Sequence, residues 1–143
     1  MIIPDLNLLI HAYNTASPVH EKARAWWEAR MNDAHPVGLP WVVILGFIRI
    51  TTHPKILQHP LRAEAACRHA RAWLAQPQVM ILHPGARHAE ILFGFLEALG
   101  TAGNLTTDAH LAAFATEYQA ELFSSDTDFA RFSGLRWVDP LRK

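Results

Sequence analysis

An apolar run that stops on an acid is the feature that most restricts this chain. Met1-Ile2-Ile3-Pro4 runs into Asp5, and Leu122-Phe123 runs through Ser124 and Ser125 into Asp126. Short, wholly apolar runs suit strands buried on both faces, as in the parallel sheets of α/β proteins. An acid that follows such a strand stands outside its carboxyl end, where the functional groups of open α/β sheets collect. The chain has six aspartates, and four of them (Asp5, Asp108, Asp126, Asp128) fall at strand ends or helix starts.

The remaining elements follow from periodicity and breakers. Met1–Pro4 is the first strand, and Leu6–Tyr13 has apolar residues at helical spacing. Ser17-Pro18 reads as a helix start, with Ser as N-cap and Pro in the first turn, and that helix runs to about Met31. Asn32–Pro36 is a loop. Trp41–Ile50 is so uniformly apolar that its period fits strand or helix, but the leading Pro40 and the length favour a helix with Gly46 as a close-packing point. Ala63–Leu74 is amphipathic, Val79–Leu82 reads as a strand, and Ala86–Leu99 is a helix ended by Gly100 and Gly103. Thr106 or Thr107 caps a helix reaching Tyr118, Glu121–Ser124 is a strand, and Asp126 caps a short helix through Ala130 or Arg131. Leu135–Val138 closes the list as a final strand. Alternating strands and helices predict one α/β domain over residues 1–143, with a central parallel sheet of about four to five strands and helices on both faces.

Composition limits the function. Thirteen basic residues balance thirteen acidic ones, so the chain is not a generic polyanion binder. Ten of the thirteen are Arg, the better residue for bidentate phosphate contacts. Cys67 is alone and sits in a helical context, which makes it a small core residue. No apolar run approaches 18 residues, and no basic-then-apolar leader opens the sequence, so the expected setting is the cytoplasm, with no membrane partner. Nine histidines give no metal framework of the His-Glu-x-x-His or Cys/His kind, and no Gly-x-Ser-x-Gly elbow is present.

Each acid has an ordinary explanation as a helix cap or a first-turn charge. Together they ask for another, because all fall at one predicted sheet edge. Two unit charges about 4 Å apart cost roughly 4 kcal/mol at an effective dielectric of 20. A divalent cation offsets that repulsion, and all-oxygen ligands suit Mg²⁺ or Mn²⁺.

These residues resemble a PIN domain, and within that family the ribonuclease toxins of VapBC-type toxin–antitoxin pairs. The matching segments are Asp5-Leu-Asn7-Leu-Leu, Gly46-Phe-Ile-Arg49-Ile-Thr51, Thr107-Asp108-Ala-His-Leu-Ala-Ala, Ser125-Asp126-Thr-Asp128-Phe and the ending from Arg131 to Pro140. The resemblance spans the whole chain in order. It implies a PIN-like α/β fold and Mg²⁺-dependent cleavage of RNA, with Mn²⁺ as a substitute. It maps metal ligands to Asp5, Asp108 and Asp126, a further catalytic acid to Asp128, and supporting polar groups to Asn7, Ser124 and Ser125. It also implies a VapB-like antitoxin that lays a segment beside the acids, and a homodimer, for which the Trp26/Trp27 helix and the helix from Trp41 are candidate faces.

One departure stands out. Many PIN nucleases carry a Glu where this chain has Gly46, which leaves the metal count open, makes Glu90 the first substitute to examine, and raises the alternative of a PIN-like binding module with impaired catalysis. Arg49, one turn after Gly46, is placed to meet a substrate phosphate or to pair with a site carboxylate. A phosphoryl-accepting receiver domain fits less well, because Asp5 has no acidic neighbour and the lysines stand only at Lys22, Lys55 and Lys143. Trp26, Trp27, Trp41 and Trp73 read as core rather than base-stacking platforms, and Arg62, Arg68 and Arg71 as a solvated face able to steer RNA.

Overall fold

The computed structural model describes residues 1–142. Among them, five strands form one parallel sheet: β1 (Ile2–Pro4), β2 (Val37–Pro40), β3 (Val79–Leu82), β4 (Glu121–Phe123) and β5 (Trp137–Val138), in spatial order β3-β2-β1-β4-β5. The helices are α1 (Leu6–Tyr13), α2 (His20–Met31), α3 (Trp41–Thr51), α4 (Ala63–Leu74), α5 (His88–Leu99) and α6 (Thr106–Glu117). Helix α1 packs on α2 and α3, α3 on α4, and α5 on α6. Strand order steps outward from β1 to β3 and then jumps back across β1 to β4. Right-handed crossovers therefore put α1–α4 on one face and α5 and α6 on the other.

The sheet centre is dry. Ile2, Ile3, Val37, Leu39 and Leu122 are buried, as strands covered on both faces require. On the α1–α4 face, Tyr13, Phe47 and Trp73 meet edge to face or tilted, and Trp73 Nε1 donates to Tyr13 Oη at 3.0 Å. That contact joins three helices and leaves no buried indole donor at Trp73 without a partner.

Two prolines shape the functional edge. Pro4 closes β1 and α1 begins two residues later; Pro40 closes β2 and α3 begins at once. Each proline is the last residue of its strand, where the ladder ends and a missing N–H costs little. Both helix starts are thereby held against the carboxyl edge of the sheet.

Several elements differ from those expected. Strand β2 lay hidden, because Val37-Gly-Leu-Pro40 contains the two residues that usually weaken a strand; a Cβ at Gly38 would lie 2.5 Å from Leu82 Cδ1, so a larger residue there would force the buried Leu82 to shift. Helix α2 starts at His20 with Val19 as its cap, not at Ser17, whose hydroxyl is engaged by His11 Nδ1 and accepts from Val19 N. Neither Thr106 nor Thr107 caps α6: a 3-10 turn over Gly103–Leu105 feeds it without a side-chain cap. Helix α5 begins at His88, and β5 pairs only over Trp137–Val138. Trp27 and Trp73 are core and Trp26 stacks on Phe123, but Trp41 is 44% exposed.

Candidate metal centre

The jump in strand order falls between β1 and β4, and the acids gather there. Registry pairs Pro4 with Phe123, so Asp5 and Ser124 emerge side by side. Asp5 is 8% exposed, and both its oxygens are held: Oδ1 accepts from Leu6 N at 2.7 Å and Oδ2 from Ser124 Oγ at 2.7 Å. Ser124 is fully buried, accepts from Asp126 N at 3.0 Å, and its carbonyl accepts from Trp137 Nε1 at 2.9 Å. One serine thus fixes the first acid and the loop that carries the third.

Asp126 caps the 3-10 turn Thr127–Arg131 by accepting from Asp128 N at 2.9 Å. Asp108 reaches in from the first turn of α6. Carboxylate oxygens of Asp108, Asp126 and Asp128 lie within 4.8 Å of one another. The expected trio of Asp5, Asp108 and Asp126 does not close that tightly, because Asp5 is turned toward Ser124. Asp5 nevertheless lines the same cavity as Asp108 and Asp126.

That crowding shows in the protonation. Burial, then Asp5, Asp126 and Asp128, push the Asp108 carboxyl up from 3.8 to about 6. Burial raises Asp5 as well, against the lowering pull of Ser124 and Leu6 N. No donor among the described residues bonds to the Asp108 carboxylate. Asn7 gives Nδ2 to Ser125 Oγ at 3.0 Å, and its Oδ1 is buried with no partner among the described residues. An all-oxygen donor set, uncompensated negative charge and an orphaned amide oxygen fit a hydrated divalent cation.

The cavity has a volume of about 590 Å³. Asp5, Asn7, Asp108 and Asp126 line it together with Leu6, Ile10, Val42, Leu45, Ile50 and Leu111. Arg49 also lines it, is exposed, and has no ion-pair partner among the described residues. Gly46 forms part of the wall, and a Cβ there would sit 2.5 Å from Leu6 Cδ2, so a larger residue would make the Leu6 side chain shift. Glu90 is exposed on α5 and does not line the cavity. His11, not among the expected site residues, also lines the cavity four positions after Asn7, a helical spacing that signals a shared face.

Comparison with known proteins identifies the family and the fold. The sequence profile of the PIN domain matches residues 2–135. The chain is 50% identical to Ribonuclease VapC33 of Mycobacterium tuberculosis over 143 residues, covering all of both. It is 42% identical to Ribonuclease VapC37 of the same organism, covering 98% of this chain and 97% of that one. Among solved structures, a chain of VapBC2 from Rickettsia felis, bound to a DNA fragment from their promoter, superposes with a TM-score of 0.68 at 17% identity, over 96% of this chain and 98% of that one.

Proposed function

The chain belongs to the PIN-domain family, and from that premise we propose that it is a Mg²⁺-dependent endoribonuclease, the toxin of a toxin–antitoxin pair. The observation that carries the reading is the cluster of carboxylates at the β1/β4 edge, where Asp108, Asp126 and Asp128 lie within 4.8 Å of one another and Asp108 is pushed up to about 6, first by burial and then by Asp5, Asp126 and Asp128. Full-length identity to proteins named ribonucleases favours catalysis over a binding module that has lost it.

Asp108, Asp126 and Asp128 would hold the cation, with Asp5 and Asn7 accepting from its water shell. When bound, the cation supplies charge neutralisation at a phosphate and lowers the pKa of a coordinated water. The chain supplies position. Ser124 holds Asp5 in one orientation, Ser125 holds Asn7, and the Asp128 amide holds Asp126. Arg49 is free to take a phosphate oxygen of the substrate. Single-stranded RNA fits best, because a duplex hides its base edges from side chains.

Control follows from the same chemistry. A VapB-like antitoxin that lays an apolar segment along the cavity and places an Arg among the acids would neutralise them and displace the cation. A homodimer would use α3, where Trp41 and Leu45 are exposed, rather than α2, whose Trp27 is in the core. Among the described residues no helix is long and apolar enough to cross a membrane, and the cytoplasm holds the RNA such an enzyme would cut.

The test is cleavage of single-stranded RNA with Mg²⁺ and with EDTA, by the wild type, Asp5→Asn and Asp108→Asn. Activity that needs Mg²⁺ and is lost in both variants is the expected result. Full activity in either variant would remove the assignment.

A further inference from the structure

We propose that the α3–α4 limb holds the backbone of the substrate strand, on a track of cations that starts at Arg49 in the cavity and continues over Lys55, Arg62, Arg68 and Arg71. The proposal rests on the ribonuclease reading for its choice of RNA. A neutral total hides an uneven chain. Residues 34–89 hold six cations and a single acid, Glu64, whereas the rest of the chain holds seven cations and twelve acids. With histidine neutral, the two parts carry +5 and −5. The basic stretch supplies β2, α3, α4 and β3, so it occupies one edge of the sheet and the helices that belong to that edge. The acids of the metal centre stand beside it, where β1 meets β4.

Most cations outside this stretch are engaged by the fold. Arg24 and Arg30 make ion pairs, Lys22 and Arg136 donate to backbone carbonyls, and Arg142 lies over the Trp137 ring. Within it, Arg49, Lys55, Arg68 and Arg71 are exposed and have no ion-pair partner among the described residues. Arg62 pairs with Glu64 at 3.3 Å, but both side chains are largely in water, where such a pair contributes little. One backbone bond ties these residues to the site. Leu61 N donates to Thr51 O at 2.7 Å, which pinches residues 52–60 into a loop at the end of α3, and the buried Leu57 anchors that loop. Arg49 precedes the pinch and lines the acid cavity, Lys55 stands on the loop, and Arg62 follows the pinch as the cap of α4. Arg68 and Arg71 lie about 9 and 14 Å farther along the α4 axis. They are exposed, whereas Ala66, Ala70 and Trp73 form the buried face of that helix.

A site built from carboxylates repels the phosphates it acts on, and a bound cation offsets that repulsion only near itself. The charge that anchors the strand has to come from outside the site. Lys and Arg side chains that neutralise phosphates release counterions, and so supply affinity without reading sequence. An acidic peptide would meet the same charges. Continuity with the acid cavity through Arg49 favours the strand that the acids would cut.

The experiment is a fluorescence-anisotropy titration of labelled oligo(U) and oligo(A) RNA with the full chain in EDTA, over a range of KCl concentrations. It compares the wild type with the triple variant Lys55→Gln, Arg68→Gln, Arg71→Gln, and with a charge-matched control, Lys22→Gln, Arg24→Gln, Arg142→Gln. All six side chains are exposed. The track variant should flatten the slope of log K against log salt by about two, since each phosphate contact on a single strand contributes about 0.7. At roughly 0.1 M salt that slope corresponds to binding about a hundredfold weaker. The loss should be equal for the two RNAs, and the control should keep the wild-type slope. A track variant that binds as the wild type does, equal losses in variant and control, or a wild type that binds neither RNA would each overturn the proposal. Poly-glutamate that binds through these residues while RNA does not would give the surface to an acidic protein, and overturn it as well. Cleavage with Mg²⁺ separates this proposal from the nuclease reading. A higher KM for RNA in the track variant supports both. An unchanged KM in a chain that cuts RNA removes the track and leaves the nuclease. Loss of binding in the track variant of a chain that cuts nothing keeps the track and removes the nuclease.

Discussion

Helix α6 carries one carboxylate at each end, and the chain treats them oppositely. Glu117, in the last turn, accepts from Gly85 N at 2.8 Å and Arg87 N at 2.9 Å, so its charge is met by the backbone leading into α5. This holds although a helix C-terminus is the wrong end for an anion. Asp108, in the first turn, has the favourable end of the helix dipole, yet its carboxyl is pushed up to about 6 by burial and three acids. One acid is completed by the fold and the other is left for something outside it. The difference separates a carboxylate met by the fold from one the fold leaves unmet more clearly than burial does, since both are partly exposed.

The comparison can be broken by exchanging neutral isosteres. Asp108→Asn should lower RNA cleavage by about a thousandfold, the loss of several kcal/mol of transition-state stabilisation. Glu117→Gln should cleave RNA nearly as the wild type does. Equal losses in a single-turnover assay would erase the distinction. Stability should move the other way. Glu117→Ala hands two exposed backbone donors to water and should cost about 1 kcal/mol, read as a lower urea midpoint at unchanged m-value.

Two smaller effects sharpen the contrast. Mg²⁺ at ten times its Kd should stabilise the wild type by about 1.4 kcal/mol, raising Tm, while Asp108→Asn responds less and Glu117→Gln responds normally. The pH effect has a definite sign. Asp108 binds its proton more tightly folded than unfolded, so its contribution to stability is present below pH 3.8 and is lost as pH rises through about 6. Because Asp108 is partly exposed, screening reduces the contribution to roughly 1 kcal/mol. In metal-free buffer the wild-type Tm should therefore fall between pH 4 and 7 relative to Asp108→Asn. Parallel curves for the two proteins would show that neither burial nor the neighbouring acids raise the Asp108 carboxyl.

The sites of the acids were legible because strand ends and helix caps have local signatures. Apolar Ile2-Ile3 before Asp5 and the Asp126 cap both survive in the structure. What was not legible depended on partners far along the chain. Strand β2 has poor local propensity and exists because β1 and β3 flank it. Ser17 has the look of an N-cap and instead engages His11, a histidine on the preceding helix. The start of α5 is held by Glu117, roughly thirty residues later, which no local pattern announces.

The sequence by itself determined four of the five strands, the sheet edge on which the acids would fall, and the family. Those depend on short-range periodicity and on residues within a turn of one another. Tertiary structure alone decided that Asp128 closes on Asp108 and Asp126 while Asp5 turns to Ser124, that Leu6 occupies the space beside Gly46, and that His11 joins the acid cavity. Distances of a few ångströms between side chains are set by how helices pack on a sheet, and packing sums contacts from the whole chain.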